Sequence, residues 1–329
     1  MSRFVRFHSI GGPEVLQIDE LAVEAPGPGE VRIRVRALGL NRAECMFRRG
    51  VYPEMPVLPA RLGYEAAGEV EAVGEGVTRF SPGDVVSTIP AFSMNQYGVY
   101  GEVAIVPVDA VVKHPANLSL PEAASIWMQY LTVYGALVDY GRLSAGDAVI
   151  ITAASSGVGL GSIQIAKSLG AIPIAATRTA AKREALLEAG AAHVIVTDEQ
   201  DLAAEVMRVT GGAGARFAFD PIGGPGVETL TAALGDFGIL IPYGVMTTQP
   251  TPYPLLTALA KNLTIRAFTL PLFTNQPEKL ERGKAFVIRG IGAGHFRPII
   301  ARTFPFTEIA EAHRYMESNQ HVGKIVVTV

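Results

Sequence analysis

One segment of this 329-residue chain predicts its architecture: Asp147-Ala-Val-Ile-Ile-Thr-Ala-Ala-Ser-Ser-Gly-Val-Gly-Leu-Gly161. Its apolar run, Val149 to Ile151, is typical of a central parallel strand. The residues after that run carry little side-chain bulk, so backbone N–H groups can approach a phosphate closely. A helix predicted over 160–169 directs the positive end of its dipole at the same place. A second predicted strand, 172–176, completes a βαβ unit of the kind that binds dinucleotides.

The glycine spacing in this segment departs from the usual dinucleotide fingerprint. A literal G-x-G-x-x-G is absent, and the best register is Ala154-x-x-Gly157-x-Gly159, with small residues in place of the missing glycines. Since the turn lies between a strand and a helix, we still predict a dinucleotide site. We expect Gly157, Val158 and Gly159 to face the pyrophosphate, with Ser156 as a further cofactor contact.

The end of the second strand favours NADPH over NADH. A site for NAD usually has an acidic residue about 20 positions after the glycine turn, where it binds the ribose 2′-hydroxyl. Here the chain reads Thr177-Arg-Thr-Ala-Ala-Lys-Arg183, with no acid before Glu184. We predict that Arg178 and Lys182 bind a 2′-phosphate, with Thr177 beside them. The alternative is a solvated basic start of a helix.

Composition narrows the remaining function classes. The chain is 49% hydrophobic and 18% charged with a net charge of −3, which argues against a nucleic-acid or anionic-membrane partner. It has no apolar run of 18 residues and no apolar core of a signal peptide near Met1, so we expect a cytoplasmic protein. A single cysteine, Cys45, excludes an internal disulfide and any multi-cysteine zinc site.

The pattern of strands and turns predicts two domains. Short β-rich runs punctuated by Gly and Pro fill the first ~120 residues and indicate a barrel-like β domain. From Leu120 onwards strands alternate with helices, which is typical of a doubly wound parallel sheet. After Leu263 the pattern changes again and ends in a strand, 324–329. We predict a first domain of residues 1–122, completed by 265–329, and a nucleotide-binding domain of residues 123–264.

Further motifs occur in order along the whole chain. The strongest is Gly63-Tyr-Glu-Ala-Ala-Gly-Glu-Val70, followed by the turn Gly83-Asp-Val-Val86. Others are Asn41 after Gly-Leu, the run Leu131-Thr-Val-Tyr134 and the terminal Gly323-Lys-Ile325. Together they resemble the medium-chain dehydrogenase/reductase superfamily and, within it, the zinc-free quinone oxidoreductases. The resemblance implies an α/β protein with a GroES-like, β-barrel-type catalytic domain and a doubly wound Rossmann domain.

The departures from the superfamily concern zinc. Its zinc alcohol dehydrogenases have Cys where this chain has Asn41 and His where it has Tyr64, and neither replacement is a ligand that zinc prefers. Cys45 lies four residues past the ligand position, and the six histidines are dispersed along the sequence. We therefore expect no metal, and alcohol oxidation would lose its usual Lewis acid.

The resemblance implies an oxidoreductase that uses NADPH to reduce a small quinone or α,β-unsaturated carbonyl, and that forms a homodimer through an edge strand near Ile265 or Leu240. One alternative is an alkenal or enoyl-thioester reductase, for which Arg42, Arg48 and Arg49 could bind the phosphates of a long substrate. Another is a weakly catalytic nucleotide-binding protein, structural or RNA-associated; the absence of a basic stripe argues against RNA binding.

The resemblance also assigns candidate site residues. Asn41 is placed near the nicotinamide ribose and the substrate, where an amide can donate and accept, or is simply a turn-forming residue. Tyr52 matches a tyrosine that could stack on a quinone or donate a proton, or serve as an aromatic lid. Tyr64 either points its hydroxyl at the substrate or fills the space of the lost zinc ligand. The remaining expected cofactor contacts are Thr132, Tyr134 (core packing being its alternative), Pro221, Tyr243, Gly244, Phe268, Thr269, Leu270 and Asn319.

Overall fold

Strands and helices cover most of the chain in the structure, a computed structural model that describes residues 1–329. In chain order the strands are β1 (Ser2–Phe7), β2 (Leu16–Leu21), β3 (Glu30–Gly39), β4 (Ala60–Arg61), β5 (Glu65–Val73), β6 (Val85–Thr88), β7 (Val103–Pro107), β8 (Val111–Val112), β9 (Ala148–Ile151), β10 (Ile172–Thr177), β11 (His193–Val196), β12 (Ala215–Asp220), β13 (Leu234–Pro242), β14 (Thr264–Ile265), β15 (Ile300–Pro305) and β16 (Lys324–Thr328). The α-helices are α1 (Arg42–Arg48), α2 (Met94–Tyr97), α3 (Leu120–Ala123), α4 (Trp127–Val133), α5 (Gly157–Ser168), α6 (Arg183–Glu188), α7 (Leu202–Val209), α8 (Gly226–Ala233), α9 (Leu255–Lys261), α10 (Leu270–Thr274), α11 (Pro277–Gly292) and α12 (Ile309–Glu317). None of the helices is both long and apolar enough to cross a membrane.

The chain divides into two units. The first comprises Met1–Met128, Thr274–Leu280 and Pro298–Val329, and the second comprises Gln129–Phe273 and Glu281–Arg297. The last strand of the chain, β16, therefore belongs to the same unit as the first.

A six-stranded sheet organises the second unit. Its order is β11-β10-β9-β12-β13-β14, and every neighbouring pair is parallel. Numbered within the sheet this is 3-2-1-4-5-6, the order of a doubly wound nucleotide-binding fold. The predicted central strand is β9, where Val149, Ile150 and Ile151 are fully buried between two neighbouring strands. The doubly wound parallel sheet is thus confirmed.

A mostly antiparallel sheet organises the first unit. Its order is β15-β16-β3-β5-β6-β8, with β7 also paired to β3, and a second sheet has the order β2-β1-β4. Strand β3 alternates as predicted: Val31, Ile33 and Val35 are buried, while Arg32 and Arg34 both pair with a glutamate of β5. Since β16 and β5 flank β3, residues at the ends of these three strands come together.

Candidate active site

The turn after β9 brings backbone N–H groups together at the start of α5. Ser156 caps this helix, its Oγ accepting a hydrogen bond from the Gly159 N–H at 3.1 Å. Because of that cap, helix α5 begins at Gly157, three residues earlier than predicted, and Val158 is its second residue. A Cβ on Gly159 would lie 2.5 Å from the Ala154 carbonyl oxygen, so a larger residue does not fit. The N-terminus of this twelve-residue helix favours an anion.

Two cations lie beside this turn. Lys182 Nζ donates to Ser155 Oγ at 3.0 Å. Partial burial lowers the pKa of Lys182, and the positive charge of the Arg178 guanidinium lowers it further. Thr177 is the last residue of β10 and directly precedes Arg178. Arg183 does not join them, because its guanidinium donates to the Val194 carbonyl oxygen. The arrangement fits a bound phosphate group next to the turn.

The carboxyl ends of β9 and β12 are tied together next to the same turn. Thr152 Oγ1 donates to Asp220 Oδ1, and Asp220 Oδ2 accepts from the Gly223 N–H at 2.7 Å. Pro221 follows directly, and a Cβ on Gly244 would lie 3.0 Å from the Pro221 carbonyl oxygen. Strand ends at this edge of a doubly wound sheet form the usual ligand site.

Tyr243 contributes a hydroxyl to this edge. Its ring stacks on Phe219 with centroids 3.9 Å apart. The hydroxyl is buried without a hydrogen bond of good geometry, although Ser156 lies close enough to oppose the rise that burial and Asp220 cause in the pKa of Tyr243. A buried donor left over beside the glycine turn is what a bound pyrophosphate would satisfy.

Five other predicted cofactor contacts in the second unit differ in their exposure. Thr132 and Tyr134 are buried, and the Tyr134 ring packs against two phenylalanine rings at 4.9 and 5.9 Å. Phe268 and Leu270 are likewise buried, whereas Thr269 between them is exposed. Core packing, the alternative for Tyr134, therefore describes its surroundings.

Asn41 lies in the first unit, and its side chain is engaged by buried neighbours. Its amide nitrogen lies 3.1 Å from a Glu65 oxygen and 3.2 Å from both a Glu44 oxygen and the Gly39 carbonyl oxygen. Its amide oxygen accepts from Lys324 Nζ. Because an ammonium can only donate, Lys324 fixes which end of the amide faces which neighbour. Burial raises the pKa of Glu44 to about 7, and the Lys324 charge opposes that rise.

The centre of this network is a fully buried ion pair. Lys324 Nζ also pairs with Glu65 Oε2, and the side chains are 4% and 0% exposed. The other Glu65 oxygen accepts from the N–H groups of Trp127 and Met128, at 2.8 and 2.9 Å, where α4 begins. Glu65 therefore has four donors. This pair was not predicted from the sequence, although a lysine at the start of the apolar strand Lys324–Thr328 is a signal that could have indicated it.

Tyr52 and Tyr64 meet in a cluster of aromatic rings. Tyr64 Oη donates to Tyr52 Oη at 3.3 Å, and the Tyr64 ring lies between Tyr52 and Phe92, with centroids 6.5 and 5.6 Å away. Burial raises the pKa values of both tyrosines, so both hydroxyls stay protonated at neutral pH. Tyr64 is buried, whereas Tyr52 is partly exposed. The hydroxyl proton of Tyr52 is therefore more accessible than that of Tyr64.

Comparisons with known proteins identify the family. The chain matches the models "Alcohol dehydrogenase GroES-like domain" over residues 27–116 and "Zinc-binding dehydrogenase" over residues 189–327. It is 32% identical over 328 residues to a quinone oxidoreductase of Pseudomonas aeruginosa, with 99% of each chain covered. The human synaptic vesicle membrane protein VAT-1 homolog is 31% identical, covering 95% of this chain and 82% of that protein. The structure of Escherichia coli quinone oxidoreductase complexed with NADPH matches with a TM-score of 0.90 at 30% identity, covering 99% of this chain and 100% of that one.

The chain belongs to the quinone oxidoreductase family of the medium-chain dehydrogenase/reductase superfamily. It is an oxidoreductase with a GroES-like domain and a Rossmann domain, as predicted. One of the matching family models is named for zinc binding. Whether this chain could bind zinc is therefore tested on the residues that could act as ligands.

The histidines are dispersed along the sequence, but the fold brings one of them to Cys45. His313, from α12, places its Nδ1 3.6 Å from Cys45 Sγ, and a Glu317 oxygen lies within 4.8 Å of both. The cluster does not fit zinc, because Glu317 already pairs with the guanidinium groups of Arg48 and Arg49. Burial also raises the pKa of the Cys45 thiol, which disfavours the thiolate that zinc requires.

The arginines proposed to bind a phosphorylated substrate are engaged within the first unit. Arg48 is fully buried and shares Glu317 with Arg49. Arg42 donates to the Met316 carbonyl oxygen at 3.1 Å and to Asn319 Oδ1. Asn319, a predicted cofactor contact, is exposed and has a φ of +58°. These contacts weaken the case for an enoyl-thioester substrate.

Replacing Lys324 by Met should lower the free energy of unfolding by roughly 3–5 kcal/mol, because Glu65 would keep a buried charge without its ion partner. The measurement is urea unfolding followed by the fluorescence of the single tryptophan, Trp127. Arg3→Ala is the control: its pair with Glu102 is 42% and 33% exposed, so about 0–1 kcal/mol should be lost. Equal losses in the two variants would contradict the importance of the buried pair, and Glu65→Gln combined with Lys324→Met should recover part of the loss.

Proposed function

We propose that this protein catalyses the NADPH-dependent reduction of a quinone or an α,β-unsaturated carbonyl without zinc. The observation that carries the proposal is the pair of adjacent cations, Arg178 and Lys182, next to the capped turn at the start of α5. A turn alone would bind the pyrophosphate of either dinucleotide, whereas two cations beyond it favour a 2′-phosphate. The acceptor class follows from the family, in which curated relatives are named quinone oxidoreductases.

When bound, NADPH supplies a hydride, which brings two electrons and one hydrogen to the acceptor. A quinone reduced this way takes up one further proton to become a hydroquinone, and an enone takes the hydride at its β-carbon and a proton at its α-carbon. We assign the proton donor to Tyr52. Tyr64 donates to the Tyr52 oxygen and so leaves the Tyr52 O–H directed at another acceptor. Asn41, held by Lys324 and Glu65, keeps the start of α1 in place beside them.

Turnover by metal-stripped protein tests the reaction. We expect NADPH oxidation with a panel of quinones and enones, and far slower oxidation of NADH. Arg178→Ala and Lys182→Ala should each raise the KM for NADPH about 10- to 100-fold, since a charge-assisted bond to a phosphate is lost. Arg208→Ala is the control, because Arg208 is exposed and pairs only with Glu205 on its own helix. Activity restored only by zinc, or no turnover across the panel, would refute the proposal.

Tyr52→Phe tests the proton donor. With an enone as acceptor, we expect kcat to fall roughly 100-fold with little change in the KM for NADPH, because a positioned acid contributes about that much. Tyr64→Phe should cost less, since it removes only the bond that orients Tyr52. An unchanged kcat in Tyr52→Phe would assign protonation to solvent.

We also propose a homodimer formed through the second unit, and we retain the expectations of a cytoplasmic location and no nucleic-acid partner. Strand β14 ends the six-stranded sheet, and Leu256 and Leu259 of the nearby α9 are 82% and 66% exposed. An open edge beside exposed leucines suits pairing with a second copy. Light scattering should give twice the chain mass of 34.9 kDa, and Leu256→Asp should lower it. A single-chain mass for the unaltered protein would contradict the dimer.

A further inference from the structure

Residues 51–59, which we name the apolar loop, show an inverted pattern of exposure. The loop joins α1 to β4, and its Val51, Met55 and Val57 side chains are 62%, 59% and 71% exposed. Its only charged residue, Glu54, is instead turned inward. Surface loops normally present polar groups to water, so this arrangement indicates a surface that contacts something apolar.

The apolar loop is held in this conformation by polar contacts beneath it. Asn95 of α2 accepts from the Val57 N–H at 2.8 Å and donates to the Met55 carbonyl oxygen at 2.9 Å. Glu54 accepts from Asn95 and from Ser93. Prolines at positions 53, 56 and 59 restrict the backbone further. The exposed apolar side chains therefore belong to a preorganised surface, which lowers the entropic cost of binding.

The exposed surface extends beyond the apolar loop on one side. Ile10 is 53% exposed, and its side chain and that of Met55 both lie near Gly50: a Cβ on Gly50 would lie 3.5 Å from Ile10 Cδ1 and 3.5 Å from Met55 Cε. Gly50 has a φ of +67°, so the bare backbone at this point suits glycine.

On its other side the apolar loop is continuous with the proposed reaction site. Tyr52 is one of its residues and accepts a hydrogen bond from the Tyr64 hydroxyl. The ring of Phe92 contacts Tyr64. Phe92 is followed within three residues by Ser93 and Asn95, which support the apolar loop. One short segment, 92–97, thus positions both the tyrosine pair and the exposed apolar side chains.

We propose that the apolar loop binds the hydrocarbon tail of the hydride acceptor, so that the preferred substrate is a quinone or enone carrying an alkyl or prenyl chain. This rests on the proposed reductase function. The polar head of such a molecule meets the Tyr52 hydroxyl, and its tail covers Met55, Val57 and Ile10. Each methylene that leaves water on this surface should improve kcat/KM up to roughly fourfold, until the surface is covered.

The test compares 1,4-benzoquinones that carry no tail or a linear alkyl tail of increasing length, at concentrations below micelle formation. In the unaltered enzyme kcat/KM should rise with tail length, by at least tenfold across the series. The double variant Met55→Ser/Val57→Ser should lose most of that rise and keep the rate with the tail-free quinone, since both bonds to Asn95 use backbone atoms. The matched control is Val85→Ser, an exposed valine of β6 in the same unit.

The outcomes separate this inference from the proposed function. No turnover of any quinone in the series would refute the reductase itself. Turnover that does not depend on tail length would overturn the role of the apolar loop while leaving the reductase intact. So would a rise that survives in the double variant or is lost equally in Val85→Ser. A mass in light scattering that falls in the double variant would assign the surface to a second copy of the chain and also overturn the inference.

Discussion

The buried pairing of Lys324 with Glu65 is the interaction on which the first unit depends. It joins the ends of β16 and β5 on either side of β3, and through Glu65 it reaches the first N–H groups of α4. Burying two charges is expensive, and attraction compensates only when the remaining lone pairs are also satisfied. Glu65 meets that condition, because Lys324, Asn41 and two backbone N–H groups all donate to it. The orientation of the Asn41 side chain therefore follows from the hydrogen bonds that satisfy the Glu65 carboxylate.

Glu44 completes the charge balance of this network. With both carboxylates ionised, one ammonium would face two negative charges in a buried region. Burial raises the pKa of Glu44 to about 7, so its protonated form is substantially populated at neutral pH. Partial protonation of Glu44 brings the negative charge around Asn41 closer to the single positive charge of Lys324. This balance explains how two glutamates can be fully buried within reach of one amide.

Local patterns in the sequence predicted the nucleotide-binding fold. The contacts that organise the first unit were not predicted, because they join residues far apart in the sequence. The apolar run of β9, the small residues of the turn and the cations after β10 are each read within a few positions, and the parallel sheet followed from them. Asn41 and Lys324 are 283 residues apart, and Cys45 and His313 are 268 apart. No spacing rule relates such positions, so the dispersed histidines gave no sign that one would lie against the cysteine. The early start of α5 was missed for a local reason, the capping by Ser156.

Buried and half-buried cations occur in both units, and their neighbours affect their charges differently. In the first unit Lys324 and Arg48 each have a carboxylate partner, so their charges contribute to folding. In the second unit Lys182 contacts a serine hydroxyl and has another cation, Arg178, as its charged neighbour. Burial is the larger cause of the lowered pKa of Lys182, and the positive charge of Arg178 lowers it further. The phosphate proposed above would favour the charged form of Lys182, against the effects of burial and of Arg178.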